Sequence, residues 1–405
     1  MAINDVAIIG AGIVGLATAR ALLRRHPALR LVVLDKEPML AAHQSGHNSG
    51  VIHSGVYYAP GTLKARLCVQ GSKDLYAYCE EHGILAQRCG KVIVATAVHE
   101  LPRLEELYRR GLANGVVGLE LIGAERLREI EPYCTGIRAL WSPATGIVDY
   151  AKVAAAYADD VRASGGDIIL RSGVHCLRPT SEAVILQTDG GEVKARRVIA
   201  CAGLQADRVA RMSGASPEPR IVPFRGDYWL LRPERRYLAR NLIYPVPDPA
   251  FPFLGVHFTR RSADDAVWLG PNAILAFARE GYRRLDASPA DIAEVLAHAG
   301  FRRLAANYWR IGLMELRRDF SKRTFLGSLQ RYIPALSIAD LLPGPSGVRA
   351  QALDAAGRLV DDFVVNVQDG RIMHVRNAPS PAATSSLAIG RLIAERADEA
   401  FALDR

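Results

Sequence analysis

The chain has 405 residues, with 51 Lys and Arg against 42 Asp and Glu, a formal net charge of +9, 49% hydrophobic and 23% charged residues. This composition excludes a disordered chain, a coiled coil and a collagen-like repeat. A chain of this length usually exceeds one hydrophobic core, so we expect two domains. The longest apolar stretch, Val6–Ala19, is too short to span a bilayer, and no basic segment typical of a secretory signal precedes it.

The basic charge suits nucleic acid, an anionic membrane surface or an acidic small substrate. Because Lys and Arg are spread along the chain rather than gathered in a run, a nucleic-acid partner is disfavoured. No group of His, Cys, Asp and Glu has metal-ligand spacing, so no metal is predicted. The cysteines form no Cys-x-x-Cys pair and are expected to be reduced, mostly buried thiols of a cytoplasmic protein: Cys68, Cys79, Cys89, Cys134, Cys176 and Cys201.

A dinucleotide-binding fingerprint opens the chain. Asp5–Ile9 predicts a buried strand, the motif Gly-Ala-Gly-Ile-Val-Gly follows at Gly10–Gly15, and Leu16–Arg25 has helical character. A second apolar run, Leu31–Leu34, ends at Asp35. The glycines permit a tight turn, a close approach of the backbone to a pyrophosphate, and close packing of helix on strand. Asp35 would accept hydrogen bonds from ribose hydroxyl groups, which favours a free 2′-hydroxyl over a 2′-phosphate.

NAD and FAD proteins share this fingerprint, but three features favour FAD. No second Gly-x-Gly-x-x-Gly occurs. After Asp35 the chain enters a polar, glycine-rich loop, His43–Gly50, which could wrap a ribityl–pyrophosphate chain, instead of continuing with regular βα units. Far along the chain, the apolar strand Arg197–Gly203 ends in small residues, as expected where bulk would collide with a cofactor.

The remaining segments predict an interleaved, two-part organisation. The region from Pro217 to about Ala335 is aromatic and rich in Pro and Arg, with strand-like runs at Tyr228–Leu231 and Ala266–Leu269, and predicts a separate sheet-based domain. Pro334–Gly347 marks a crossing back to the first domain. The other predicted elements are helices at Leu63–His82, Leu101–Asn114, Ile147–Ser164 and after Ser386, strands at Lys91–Thr96 and Asp167–Leu170, and hairpins around Asp189–Gly191 and Asp369–Gly370.

The segment Gly46–Tyr58, Gly-His-Asn-Ser-Gly-Val-Ile-His-Ser-Gly-Val-Tyr-Tyr, resembles the L-2-hydroxyglutarate oxidases and dehydrogenases of the D-amino-acid-oxidase-like flavoprotein superfamily. The resemblance runs over essentially the whole chain. One mild departure is Asp35, where the family pattern has Glu, and the shorter acid still reaches a ribose. Further matching segments are Pro223–Tyr228, Phe253–Thr259, Gly270–Asn272, Ser346–Gln351 and Asn377–Ser385.

The resemblance implies FAD and the oxidation of L-2-hydroxyglutarate to 2-oxoglutarate by hydride transfer to flavin N5, with electrons passed to a quinone or to O2. It also implies an α/β fold, in which a Rossmann-like FAD-binding domain of the D-amino-acid-oxidase type is interleaved with a mixed-sheet α+β substrate domain. The FAD-binding domain is expected to comprise residues 1–90, 149–220 and 336–405, and the substrate domain residues 91–148 and 221–335. The last cysteine is Cys201, so a flavin linked through the thioether of a late cysteine is not available. Attachment through His43 or His47 is an alternative, and noncovalent FAD is favoured.

Oxidation of a secondary alcohol needs a base for the hydroxyl proton while the Cα hydride passes to the flavin. Histidine is the natural base near neutral pH. His53 lies in the loop expected beside the flavin and is favoured as the base. His257 lies in the substrate-domain sheet and is expected to hydrogen-bond the substrate or to serve as the alternative base.

A dicarboxylate substrate needs two cationic contacts, for which Arg serves best through its bidentate fork. By the resemblance, Arg349 is expected to hold the substrate α-carboxylate. Arg225 is the second candidate, followed by Lys64 and Tyr57.

The last helix is expected to begin near Ala383–Thr384 and to point its N-terminus at the flavin pyrimidine edge, where it would stabilise negative charge on the reduced ring. The complete set of predicted FAD-binding residues is Gly10, Ala11, Gly12, Ile13, Val14, Gly15, Asp35, Lys36, Ser45, Gly46, His47, Asn48, Ser49, Gly50, Val51, Val174, Ala202, Gly203, Gly347, Ala382, Ala383 and Thr384.

Other functions remain open from the sequence. An amino-acid or amine oxidase of the glycine or sarcosine oxidase type would share the fold, but the paired histidines favour an alcohol, since an amine can lose its proton to solvent before binding. Two further alternatives are a sensor flavoprotein that does not turn over a substrate and an NAD-linked dehydrogenase.

The localisation predicted is cytoplasmic. Peripheral contact at the inner face of the membrane is an option, because a quinone-linked enzyme must meet the bilayer and the basic charge favours anionic lipid.

Overall fold

A computed structural model describes residues 3–248 and 255–403. Phe253 and Leu254 of the matched segment Phe253–Thr259 lie outside these residues. The strands are β1 (Asn4–Ile9), β2 (Leu31–Leu34), β3 (Val51–Ile52), β4 (Ala86–Gln87), β5 (Lys91–Ala95), β6 (Glu120–Gly123), β7 (Arg138–Ser142), β8 (Gly146–Val148), β9 (Asp167–Ile169), β10 (Val174–Pro179), β11 (Val184–Thr188), β12 (Gly191–Ala200), β13 (Arg220–Leu231), β14 (Leu242–Pro245), β15 (His257–Arg260), β16 (Val267–Gly270), β17 (Ile274–Leu275), β18 (Leu341–Leu353), β19 (Val364–Gln368) and β20 (Ile372–Asn377). The α-helices are α1 (Ile13–Arg25), α2 (Leu63–Glu81), α3 (Leu101–Ala113), α4 (Ala124–Ile130), α5 (Tyr150–Ala163), α6 (Ala206–Met212), α7 (Pro289–Ala297), α8 (Ala299–Phe320), α9 (Lys322–Gln330) and α10 (Ser386–Phe401).

The first sheet has five parallel strands at its centre, in the order β20-β12-β1-β2-β9. Antiparallel strands extend it on both sides, β10 and β11 beyond β12 and β19 beside β20. The two predicted Asp-Gly turns form the hairpins β11–β12 and β19–β20. Ile9 pairs with Leu34 on one side and with Ala200 on the other. The carboxyl ends of β1, β2 and β12 therefore meet at one edge, where ligands bind in open parallel sheets.

The two faces of this sheet are buried in different ways, and the side chains of β1 alternate between them. Val6 and Ile8 pack with α1, α5 and α10 on one face. Ala7 and Ile9 face the β10–β11 hairpin and α6 on the other. Burial on both faces explains why β2 and the part of β1 from Val6 to Ile9 consist of apolar residues without interruption.

The second sheet is mixed and lies beside the first. Its order is β17-β13-β16-β15-β14-β5-β7-β6, and β18 pairs with β13 over their whole length. The helix α9 covers one side of this sheet through Phe325 and Leu329, and α3 covers strand β5 through Leu104 and Leu107. A small third sheet, β3-β8-β4, lies between the two.

Two predicted elements need correction. Ile147 and Val148 belong to strand β8 rather than to a helix, and α5 begins at Tyr150 because the Asp149 side chain accepts a hydrogen bond from the Ala151 N–H at 3.0 Å. The region predicted as a sheet-based domain also contains the helices α7, α8 and α9. The sequence predicts that residues 336–405, which include strand β18, belong to the FAD-binding domain. The hydrogen bonds of β18 instead place this strand in the second sheet. The division of the chain into two domains stays a prediction.

None of the helices in the described ranges is both long and apolar enough to cross a membrane.

Gly390 allows α10 to approach α1. A Cβ atom at Gly390 would lie 2.5 Å from the Ala17 carbonyl oxygen. We expect Gly390→Ala to lower the free energy of unfolding by about 1–3 kcal/mol, because the two helices must separate to admit the methyl group. Urea unfolding followed by circular dichroism measures this change.

The matched control is Gly327→Ala in helix α9, where an added Cβ would meet no atom within 4 Å. This substitution is expected to stabilise the protein by about 0.4–1 kcal/mol, since it reduces the freedom of the unfolded chain. Equal effects of the two substitutions would contradict close packing of α1 on α10.

Candidate active site

A cavity of about 950 Å³ runs from the carboxyl edge of the first sheet to the face of the second. Ala11, Gly15, Gly46 and Gly50 are not on its surface. The predicted FAD-binding residues that line it are Gly10, Gly12, Ile13, Val14, Asp35, Lys36, Ser45, His47, Asn48, Ser49, Val51, Val174, Ala202, Gly203, Gly347, Ala382, Ala383 and Thr384.

The turn between β1 and α1 is built to receive an anion. Gly10 has a φ of +107°, and a Cβ atom there would lie 2.4 Å from the Cys201 carbonyl oxygen, so glycine is required. No side chain caps α1 at Gly12, and its first turn holds no acidic residue. The Ile13 N–H donates to Ser45 Oγ at 2.9 Å. The N–H groups of Gly12 and Val14, which line the cavity, therefore offer a pyrophosphate site together with the positive end of the helix.

Asp35 lies at the end of β2, on the wall of the same cavity. Its carboxylate accepts hydrogen bonds from the Ala11 N–H at 2.6 Å and from the Glu37 N–H at 2.9 Å. A carboxylate has about four acceptor positions, so oxygen lone pairs remain for ribose hydroxyl groups. The backbone therefore holds the Asp35 carboxylate on the cavity wall, where it could accept hydrogen bonds from a ribose although Asp is shorter than Glu.

The N-terminus of α10 is tied to the loop that carries His53. Thr384 Oγ1 accepts a hydrogen bond from the His53 backbone N–H at 3.1 Å and lies 3.0 Å from the Tyr150 hydroxyl oxygen. No side chain caps the helix at Ser385, and Ala383 faces the cavity. An uncapped helix N-terminus, small residues and a glycine cradle fit the pyrophosphate and the ring of FAD.

The His53 imidazole faces the cavity, and its Nδ1 is buried without a hydrogen-bond partner among the described residues. Burial lowers the pKa of His53 to about 3, helped by the charges of Lys91, His257 and Lys64. The ring is therefore neutral and has a nitrogen free to bind a ligand.

His257, at the start of β15, also lines the cavity and is 5% exposed. Its Nδ1 lies 2.8 Å from the Gly255 carbonyl oxygen, and because that oxygen only accepts, Nδ1 carries the proton. Burial lowers the pKa of His257 to about 3. A neutral ring with this tautomer presents the Nε2 lone pair as an acceptor.

Arg349 reaches the cavity from β18. Phe224 pairs with Arg349, and Gly226 pairs with Gly347, across the β13–β18 ladder. Because alternate residues of a strand share a face, Gly226 and Tyr228 lie on the cavity side with Arg349, and all three line the cavity. Arg349 also hydrogen-bonds the Tyr228 hydroxyl.

Arg225 lies on the opposite face of β13 from Gly226, because neighbouring residues of a strand point to opposite sides, and it is not on the cavity surface. Arg225 is 2% exposed and pairs with Asp227 through Nε–Oδ1 and Nη2–Oδ2 contacts of 2.9 and 3.1 Å. Its Nη1 donates to the Arg283 carbonyl oxygen. The geometry therefore does not support Arg225 as a substrate ligand. Tyr57 is also absent from the cavity surface, whereas Lys64 lines it.

Sequence reasoning overlooked Lys91 and Tyr244. The ring of Tyr244, on the cavity wall, stacks on His257 with centroids 4.0 Å apart. Lys91 begins the apolar strand β5 and is 1% exposed, and burial lowers its pKa to about 7. The sequence does contain one sign of this burial: Lys91 directly precedes Val92–Ala95, an apolar run typical of buried strands.

One group of possible metal ligands comes together in the described structure, although its spacing in the sequence gave no sign of it. Glu37, His43 and Glu280 bring one nitrogen and two carboxylates within 4.8 Å of one another. The Lys36 ammonium bonds both carboxylates, with Nζ 2.8 Å from Glu280 Oε2. This lysine supplies the positive charge that the cluster needs.

Comparisons with known proteins agree with this geometry. A model of the DAO family, FAD dependent oxidoreductases, matches residues 5–396. The chain is 53% identical over 417 residues to "L-2-hydroxyglutarate dehydrogenase, mitochondrial" of Nematostella vectensis, covering 98% of this chain and 91% of that protein. It is 51% identical to the protein of the same name of Homo sapiens, with 98% and 89% covered. To the L-2-hydroxyglutarate dehydrogenase of Indibacter alkaliphilus it is 47% identical, with 98% and 99% covered.

Solved structures share the fold at lower identity. The FAD-bound, dithionite-reduced L-alpha-glycerophosphate oxidase of Mycoplasma pneumoniae superposes with a TM-score of 0.79 at 22% identity, covering 99% of this chain and 95% of that one. Glycine oxidase of Geobacillus kaustophilus superposes with a TM-score of 0.73 at 19% identity, covering 98% of this chain and 95% of that one. The predicted fold class is confirmed. The chain belongs to the DAO family of FAD-dependent oxidoreductases and, within it, to the L-2-hydroxyglutarate dehydrogenases.

Proposed function

We propose that this chain oxidises L-2-hydroxyglutarate to 2-oxoglutarate with noncovalently bound FAD. The observation that carries the proposal is a pair of neutral imidazoles and one guanidinium that face the same cavity as the dinucleotide fingerprint. The near full-length identity to L-2-hydroxyglutarate dehydrogenases supports this substrate. The glycine oxidase type of activity has only a likeness of fold at 19% identity in its favour.

The chain's own residues bind and orient the substrate and remove one proton. Arg349 binds the α-carboxylate through its fork, and Lys64, also on the cavity wall, offers a charge to the second carboxylate. His53 takes the hydroxyl proton, since its Nδ1 has no partner among the described residues. His257 accepts a hydrogen bond from the substrate at Nε2. Bound FAD supplies the acceptor for the Cα hydride.

The visible spectrum of the purified protein tests the function. We expect a flavin band near ~450 nm that bleaches when L-2-hydroxyglutarate, but not its D-form, is added without oxygen. Acid precipitation is expected to release the flavin into the supernatant, since noncovalent binding is part of the proposal; Nδ1 of His43 lies 2.8 Å from the Tyr282 hydroxyl and Nδ1 of His47 lies 3.2 Å from the Ser346 carbonyl oxygen, which supports it. Bleaching by glycine or sarcosine instead would favour the alternative.

The two histidines are separated by matched substitutions. We expect His53→Asn to slow flavin reduction by about 10²- to 10⁴-fold, the usual contribution of a general base. His257→Asn retains a polar side chain and is expected to weaken substrate binding more than it slows the reduction. Stopped-flow absorbance over a range of substrate concentrations gives both quantities. A larger loss of rate in His257→Asn would reverse the two roles.

We also propose that the electron acceptor is a quinone or O2, and that the protein is cytoplasmic and contacts the membrane peripherally.

Helix α8 supports the proposed contact with the membrane. Trp309 and Leu313 are both 55% exposed and lie one helical turn apart, beside the exposed Met314. Arg310 and Arg317 flank this patch, and the acidic residues of the helix, Glu315 and Asp319, are buried. Exposed aromatic and apolar groups among arginines favour an anionic bilayer surface.

Cosedimentation with lipid vesicles tests this surface. We expect the protein to bind vesicles that contain phosphatidylglycerol, to bind pure phosphatidylcholine weakly, and to lose affinity when Trp309→Ser removes the aromatic anchor. The matched control is Leu285→Ser, because Leu285 is 93% exposed but lies outside α8. Equal binding of both variants and the unmodified chain would contradict the proposed contact.

A further inference from the structure

Lys91 is a buried lysine that meets no carboxylate among the described residues. It begins β5, is 1% exposed, and lies between two tyrosine rings, with Nζ 4.5 Å from the centroid of Tyr57 and 5.1 Å from that of Tyr244. Within the described part of the chain, the ionisable groups that act on it are the thiols of Cys68 and Cys89, and no carboxylate is among them. An ionisable group that is buried without an opposite charge is disfavoured, so its presence beside a cavity calls for a function.

The ammonium lies close behind the reactive part of the cavity. Lys91 is not on the cavity surface, but the Tyr244 ring that it contacts stacks on His257 with an angle of 30° between the planes. Its charge acts on His257 and also on His53, where it is the largest charge effect after burial. Both proposed proton-handling groups therefore share one buried cation.

We propose that Lys91 is a positioning residue that keeps His53 and His257 unprotonated, by holding a positive charge behind the Tyr244 ring that stacks on His257. This inference rests on the proposed function, in which both rings must offer a lone pair to the substrate hydroxyl. Lys91 acts through the histidines and does not touch the substrate.

The order of protonation supports this role. Burial lowers the pKa of Lys91 to about 7, whereas the two histidines have pKa values near 3. As the pH falls through neutrality, Lys91 is charged first, and its charge then opposes a second positive charge nearby. Lys64 lowers the pKa of His53 and Arg349 lowers that of His257, while the Gly255 carbonyl raises the latter, so Lys91 contributes part of the effect.

The test compares the FAD-loaded, full-length protein with its Lys91→Met variant. The variant is expected to fold, since methionine has a similar length and removes an unpaired buried charge. In the variant, the acid limb of the flavin-reduction rate is expected to move to higher pH by roughly one unit, because protons bind the histidines more easily. Lys91→Arg retains the charge and should keep the acid limb of the unmodified protein. Lys73→Met, at an exposed position, should keep it as well.

A second measurement needs no substrate. Nitrogen NMR of ¹⁵N-histidine-labelled protein follows the two rings as the pH is lowered, and we expect both to stay neutral at pH 6 in the unmodified protein and to titrate at higher pH in Lys91→Met. Unshifted histidine titrations in a folded Lys91→Met variant would overturn the inference, as would rings already protonated at pH 6 in the unmodified protein. Failure of L-2-hydroxyglutarate to reduce the flavin would instead refute the proposed function and leave the titration readable.

Discussion

The antiparallel pairing of β13 with β18 determines which side chains meet the cofactor cavity. The ladder runs from Arg220 opposite Leu353 to Leu231 opposite Leu341. Since a shift of one residue would turn every side chain to the opposite face, this register places the guanidinium of Arg349 in the cavity and turns that of Arg225 to the far side, against Asp227. The crossing strand β18 thereby makes one pocket from two sheets that have separate cores.

Exclusion of water gives the pocket its chemical character. Burial keeps His53 and His257 neutral, and neutrality makes them acceptors for the hydroxyl group of a substrate. The same burial concentrates positive charge from Arg349, Lys64 and Lys91 near a site proposed for a dianion. A bound dicarboxylate would bring two negative charges close to these cationic groups.

The sequence predicts best what a short segment determines by itself. The glycines and Asp35 of the fingerprint lie in the turn geometry expected of them, and the Asp-Gly dipeptides mark two hairpins of the first sheet, β11–β12 and β19–β20. Two helix starts that were not predicted from the sequence do carry a local mark, since the side chain of Asp149 caps α5 and that of Ser288 caps α7. The register of β13 against β18, which are more than a hundred residues apart in the chain, leaves no such local mark. The sequence therefore could not show that the Arg225 side chain points away from the cavity. The burial of Lys91 depends on long-range packing in the same way.

The central sheet also has a consequence for how the chain is made. Its parallel strands come from residues 4–9, 31–34, 167–169, 191–200 and 372–377, and α10, which packs against α1, ends at Phe401. During synthesis β1 must wait for its neighbour β12, which follows about half of the chain later, and α1 must wait for α10 near the end of the chain. Long-range closure of this kind folds slowly and exposes strand edges meanwhile. Protection of the nascent N-terminal half is therefore a requirement that the interleaved architecture places on the cell.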